Sequence, residues 1–168
     1  MTRRLVVLLL FVVVAPACMA SQFTFGNGGF KLTVPDGWPR IMQSMGDPET
    51  MVFQAPDPAP GDQNALARVT VVSQRVRNLV AFQQFVGEHT NHAHALPGFK
   101  ADKQRSTPTN AYYTANEGKV RQTYVEHYAF HNGYAIMVRC VRPSHSQAGA
   151  AWTSAFDKGC AGIVASLH

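Results

Sequence analysis

Glu88, His89, His92 and His94 form the densest group of side chains in this sequence whose types suit chemistry. Imidazoles and carboxylates are ligands for zinc or copper. On a helix, Glu88 and His92 are four apart and share a face, as do His89 and His92 at three apart. His94 stands about 200° around the axis from His92 and does not join them easily. Two readings fit this spacing. One is a metal-handling or hydrolytic site on Glu88, His89 and His92. The other is a solvated polar face near a helix end, where histidine suits the negative pole of the dipole. His127 and His131 are also four apart, but strand rise separates them by about 13 Å along one face, so they read as surface histidines on the solvent side of a hairpin.

Nucleophilic catalysis finds little support. There is no Gly-x-Ser-x-Gly elbow and no His-Glu-x-x-His zinc helix. Gly26-Asn27-Gly28-Gly29 lies between two strand-like runs, whereas a phosphate loop opens a helix. The expectation is a non-enzymatic protein with no catalytic residues, resident metal or cofactor. Arg75 with Arg77, Lys103 with Arg105, and Lys119 with Arg121 each stand two apart on apparent strands, so each pair is expected to share a face. If those faces coincide, the sheet carries a basic stripe suited to an anionic partner, such as an acidic protein surface or lipid headgroups. The bland alternative is an ordinary solvated face.

The elements that must position these groups follow from period and punctuation. Residues 22–34 read as two alternating runs around the glycine-rich turn, a hairpin closed by Pro35-Asp36-Gly37. Thr50 to Ala55 and Ala65 to Val76 read as strands, with Pro56 to Asp62 a loop by composition. On the longer strand Val69 and Val71 take one face, and Arg68, Thr70 and Val72 the other. Asn78 is the expected N-cap of a helix whose stripe runs Leu79, Phe82, Val86, Ala93 and Leu96, widened by Phe85 and His89, and Pro97-Gly98 stops it. Phe99 to Arg105 and Asn110 to Ala115 read as strands. Lys119 to His131 meets Tyr134 to Val141 across Asn132-Gly133, the strongest short hairpin signal. A last helix is expected from about His145 to Ser166, opened by a Ser144/Gln147 capping box. Its apolar stripe includes Trp152, Phe156, Cys160, Ile163 and Val164, and this stripe must lie on a sheet.

The chain has 168 residues, with fifteen Lys and Arg against ten Asp and Glu. It opens with Arg3-Arg4, an apolar run from Leu5 to Ala15 and a small-residue exit through Pro16-Ala17-Cys18-Met19-Ala20. These are the three parts of a secretory signal peptide, and a bilayer span takes roughly 20 apolar residues. The expected organisation is a signal peptide at 1–20 and one domain at 21–168. Cleavage after Ala20 gives a periplasmic protein, while lipidation at Cys18 is the competing route and the one that would anchor the chain to a membrane. Losing Arg3 and Arg4 leaves thirteen basic residues against ten acidic, far from the dense footprint of a nucleic-acid binder.

Cleavage would leave two cysteines, Cys140 and Cys160, in an oxidising compartment. Cys140 shares a strand face with Ile136 and Val138, and Cys160 lies in the helix stripe, so both point to one interface. A disulfide is expected, the alternative being two separate buried thiols. This order of elements allows an antiparallel sheet covered by two helices.

The residues that carry a wider resemblance are short and apolar. They are Phe23-x-Phe25-x5-Phe30-x-Leu32-x-Val34-Pro35-x-Gly37-Trp38, the helix start Leu79-x2-Phe82, the hairpin end Gly133-Tyr134-x-Ile136, and the closing Ile163-Val164-x-Ser166-Leu167. In that order, over nearly all of residues 22–168, they resemble the PsbP/DcrB-like superfamily, also called Mog-like. The resemblance implies an α+β fold, an α/β/α sandwich with a mainly antiparallel sheet of six or seven strands and two main helices. It also implies action by binding rather than catalysis. The expected function is that of an exported envelope protein engaging a protein partner through its sheet edge or basic face, with an immunity or chaperone protein for a secreted toxin as one concrete form.

Overall fold

The computed structural model describes residues 20–59 and 66–168. The expected signal peptide at 1–20 therefore falls almost wholly outside the described residues, as does part of the Pro56–Asp62 loop. In chain order the elements are strands β1 (Ala20–Phe25), β2 (Phe30–Pro35), β3 (Arg40–Ser44), β4 (Glu49–Gln54) and β5 (Arg68–Arg75), helix α1 (Leu79–His94), strands β6 (Lys100–Ala101), β7 (Asn110–Glu117), β8 (Val120–His131) and β9 (Tyr134–Pro143), and helix α2 (Gly149–Ala165).

Strands β3 to β9 form one sheet in the order β3-β4-β5-β9-β8-β7-β6, and every pairing is antiparallel. The sheet has seven strands, where six or seven were expected. The opening hairpin is not among them, because β1 and β2 pair only with each other, as a separate ribbon. The long β8–β9 hairpin turns at Asn132 and Gly133, with φ of 49° and 78°. These are the left-handed values that a two-residue hairpin turn requires.

Alternation along β5 and β9 sorts the two faces as expected. Val69, Val71, Ile136, Val138 and Cys140 lie on the face that meets Phe156, Cys160 and Ile163 of α2 and Phe25, Phe30 and Leu32 of the ribbon. Ala135 and Met137 lie on the other face with Tyr128, against Phe85 of α1. The helices thus cover opposite faces, which is the expected sandwich, and the ribbon shares α2's layer.

Asn78 caps α1 as expected, its side chain accepting a hydrogen bond from the Ala81 amide at 3.0 Å. Leu79 was expected in the apolar stripe but is 61% exposed. The helix meets the sheet through Phe85 and Ala93 instead. At α2 the expected capping box is absent. The helix starts at Gly149 with no side-chain cap, because Ser144 is engaged at the end of β9, its hydroxyl 2.9 Å from that of Thr123 and its amide donating to the Arg121 carbonyl.

Trp38 locks α2 to the ribbon. Its ring stacks on Phe156 with centroids 5.4 Å apart. A Cβ added at Gly159 would come within 2.9 Å of that indole, so the helix can approach only where it has no side chain.

Candidate functional site

Three places on this frame bring functional side chains together. The first lies beneath α1. Glu126, fully buried on β8, accepts hydrogen bonds from Tyr113 Oη at 2.7 Å, from Tyr128 Oη, and from Arg139 Nε at 2.5 Å. Burial and the nearby carboxylate hold the Tyr113 and Tyr128 phenols well above the ordinary tyrosine value, so both remain donors. Burial works against the Arg139 charge, but Glu126 more than offsets it and the guanidinium stays protonated. Next to it Glu117 takes two hydrogen bonds from Arg68 and one from Tyr124 Oη at 2.7 Å. Burial alone would raise the Glu117 carboxyl, yet these donors bring it below its usual value. Such a cluster neutralises its buried charges internally, although Arg139 Nη2 is buried without a hydrogen-bond partner.

The second place is the face of β7 and β8 that α2 leaves uncovered. A cleft of about 360 Å³ runs between that face and the helix, with Tyr112, Val125 and His127 on the sheet side and Ala161 and Val164 on the helix side. His127 Nδ1 lies 2.7 Å from Asn110 Oδ1, and burial lowers the ring's proton affinity. The Arg105 guanidinium lies over the Tyr112 ring, 4.2 Å from its centroid.

The third place is the sheet edge at β3, all five residues of which are exposed. Ile41, Met42 and the adjoining Met45 are 48%, 50% and 72% exposed. Among the described residues no strand pairs with the outer side of β3.

No protein-family profile matches the sequence, and no curated protein matches it significantly. Solved structures do match. LpqN of Mycobacterium tuberculosis, involved in cell envelope biogenesis, superposes with a TM-score of 0.54 at 16% identity, over 90% of each chain. Mog1p, the Ran-binding protein of Saccharomyces cerevisiae, superposes with a TM-score of 0.53 at 11% identity, over 90% of this chain and 96% of that one. The chain has the Mog-like fold. At these identities the likeness is one of fold and assigns no residue a role.

The Mog-like frame rearranges the residues singled out by spacing. The premise of a basic stripe does not hold. Asp102 accepts from the amides of Gln104 and Arg105, so the chain turns after Ala101 and Lys103 and Arg105 lie on no strand. Arg77 falls just past the end of β5, and Lys119 sits in the turn between β7 and β8. Arg75 stacks on Tyr134 and donates to its hydroxyl at 3.1 Å. That hydroxyl in turn donates to the Gly26 carbonyl at 2.8 Å, which docks the glycine-rich turn on the main sheet. Arg121 is held by the Gly98 carbonyl, Asn116 and Thr114.

Nor do the α1 histidines converge. His89 turns toward the sheet and packs on Phe85 and Tyr128 at centroid distances of 4.4 and 6.3 Å, while Glu88 and His92 are exposed. Among the described residues no group of three His, Cys, Asp or Glu is placed to hold a metal ion. His127 is half-buried in the cleft and not on open surface as expected. Cys140 and Cys160 come to disulfide distance, with Cα atoms 6.3 Å apart. Spacing missed the Glu126 cluster. The available signal was parity, since Glu126 alternates in step with Tyr124 and Tyr128 on a strand whose in-step positions are buried.

Proposed function

We propose that this chain is an exported, non-catalytic binding protein of the cell envelope that engages an extended segment of another protein along the edge of β3. The observation that carries this reading is the exposure of Ile41 and Met42 on a five-residue edge strand. Soluble proteins blunt free edges with charge, proline or bulges, because an unpaired row of backbone groups recruits another strand. Here one Arg40 and one irregularity between Arg40 and Met42 stand against two large apolar side chains. Addition of a partner strand would use the backbone for affinity and these side chains for selection. Support for an envelope setting comes from the signal-like N-terminus and from the likeness to an envelope-biogenesis protein. Among the described residues no helix is long and apolar enough to cross a membrane. Strand addition also suits an immunity or chaperone protein that masks a segment of a secreted toxin.

A photo-crosslinking residue at Met42, expressed in the native host, is expected to trap one discrete partner. The same residue at Lys119, at the other end of the sheet, should trap none, and Ile41→Lys should abolish the Met42 adduct. Equal, diffuse labelling from both positions would overturn the reading.

A further inference from the structure

We infer that the cleft between α2 and the uncovered face of β7 and β8 binds a small amphipathic carboxylate, with its charge on Arg105 and its apolar body between Val125 and Val164. The cleft's lining divides in the way such a ligand requires. Along the helix, positions from Asp157 to Ala165 line it, a run of about 12 Å by helix rise. On this side the helix lines the cleft with Cys160, Ala161, Val164 and Ala165, Asp157 being its charged contribution. The opposing wall is Val125 and the Tyr112 ring. A volume of about 360 Å³ that sets Val125, Ala161, Val164 and Ala165 beside polar side chains such as Arg105, Asn110 and Thr123 has the mixed lining that an amphipathic small molecule needs.

The sign of the charge follows from accounting for each ionised group. Arg142 is committed to Asp157 through two hydrogen bonds of 2.8 and 2.9 Å. Asp102, whose Oδ1 accepts from the Gln104 and Arg105 amides, borders the wider hollow and is not among the residues that line the cleft. Arg105 is in no ion pair among the described residues, and its guanidinium lies over the Tyr112 ring on the lining of the cleft. Lys100 and Lys103 border the wider hollow that continues from the cleft past Arg105, Tyr112 and Thr123. Within the cleft's own lining the charge left without an ion-pair partner is therefore the cationic Arg105, and a guanidinium pairs with a carboxylate through two parallel hydrogen bonds. This site stands at the β6–β7 end of the sheet, away from β3, so it is independent of the edge proposed above.

Titration of the purified 21–168 chain with decanoate, naphthalene-2-carboxylate and decanol, followed by amide chemical shifts, tests the site. One or both carboxylates are expected to give saturable shifts centred on Tyr112, Val125 and Ala161, with decanol at least tenfold weaker. The pattern of winners separates a flexible chain from a flat ring as the natural body. Arg105→Ala should weaken carboxylate binding at least tenfold and leave decanol unchanged. Ala161→Phe, a substitution at an exposed helix position, should block both while the melting temperature holds. Absence of saturable shifts from either carboxylate at millimolar concentration would overturn the inference. So would equal binding of decanol and decanoate, or shifts indifferent to both substitutions.

Discussion

Glu126 is the residue on which the most polar structure depends. A carboxylate with no exposure costs several kcal/mol to desolvate, and it persists here because two phenols and Arg139 supply hydrogen bonds to it. Removing one partner of such a set is costlier than removing the set. We expect Glu126→Ala to lower unfolding free energy by about 3–5 kcal/mol, and the double change Glu126→Leu, Arg139→Met to recover a large part of the loss. Urea denaturation measures both, and a single-variant loss within experimental error of zero would contradict this account. Two histidines make the protein acid-sensitive. Burial lowers the proton affinity of His89, with the Arg139 charge adding to the effect, and burial also lowers that of His127. In the unfolded chain each takes its proton near pH 6.5, and in the folded protein only at lower pH. Their contribution is therefore fully present above about pH 6.5 and is lost as pH falls from there through the folded values. Thermal melts between pH 7.5 and about 5 should show this slope, and His89→Phe with His127→Phe should flatten it.

At the scale of elements, the pair Cys140 and Cys160 ties the middle of α2 to the end of β9. The two positions are 20 residues apart in sequence, and closing a loop of that length stabilises by roughly 3 kcal/mol in the chain-entropy model. We expect Cys140→Ser, Cys160→Ser and the double variant to be destabilised by similar amounts, in a range of about 2–5 kcal/mol. Reductant should lower the melting temperature of the unmutated protein alone. Two free thiols in protein taken from an oxidising compartment would refute the bridge. The elements themselves differ in how readable they are. The β8–β9 hairpin and the α2 stripe are legible because period-two and period-3.6 patterns are properties of neighbouring residues. Strand β3 was missed since Arg40–Ser44 has no alternation, every one of its residues being exposed. The segment after Ala101 was misread as strand since the Asp102 side chain competes for the backbone amides that a strand would use.

For the whole molecule, the N-terminus bears on where it works. Ala20 opens β1, and Ala20, Ser21 and Gln22 are exposed, so cleavage after Ala20 would remove one exposed residue from the end of the ribbon and none of its core. Intact mass of the protein isolated from its host is expected to match residues 21–168 less two hydrogens for the disulfide. A species that retains Cys18, Met19 and Ala20 and carries diacylglycerol would show instead a lipid-anchored protein.

The sequence by itself determined the alternation along β8 and β9, the stripe that α2 presents, and that Cys140 and Cys160 face a common interface, because each depends on local geometry along one segment. Tertiary structure decided the rest. Whether Glu88, His89 and His92 form a site depends on the rotation of α1 against Tyr128, and that rotation turns only His89 inward. Whether the opening hairpin joins the sheet depends on the docking of its turn through Tyr134 and of its flank through Trp38. The cleft exists because α2 and the ribbon together cover only part of a seven-stranded face, a mismatch of widths that no single segment encodes.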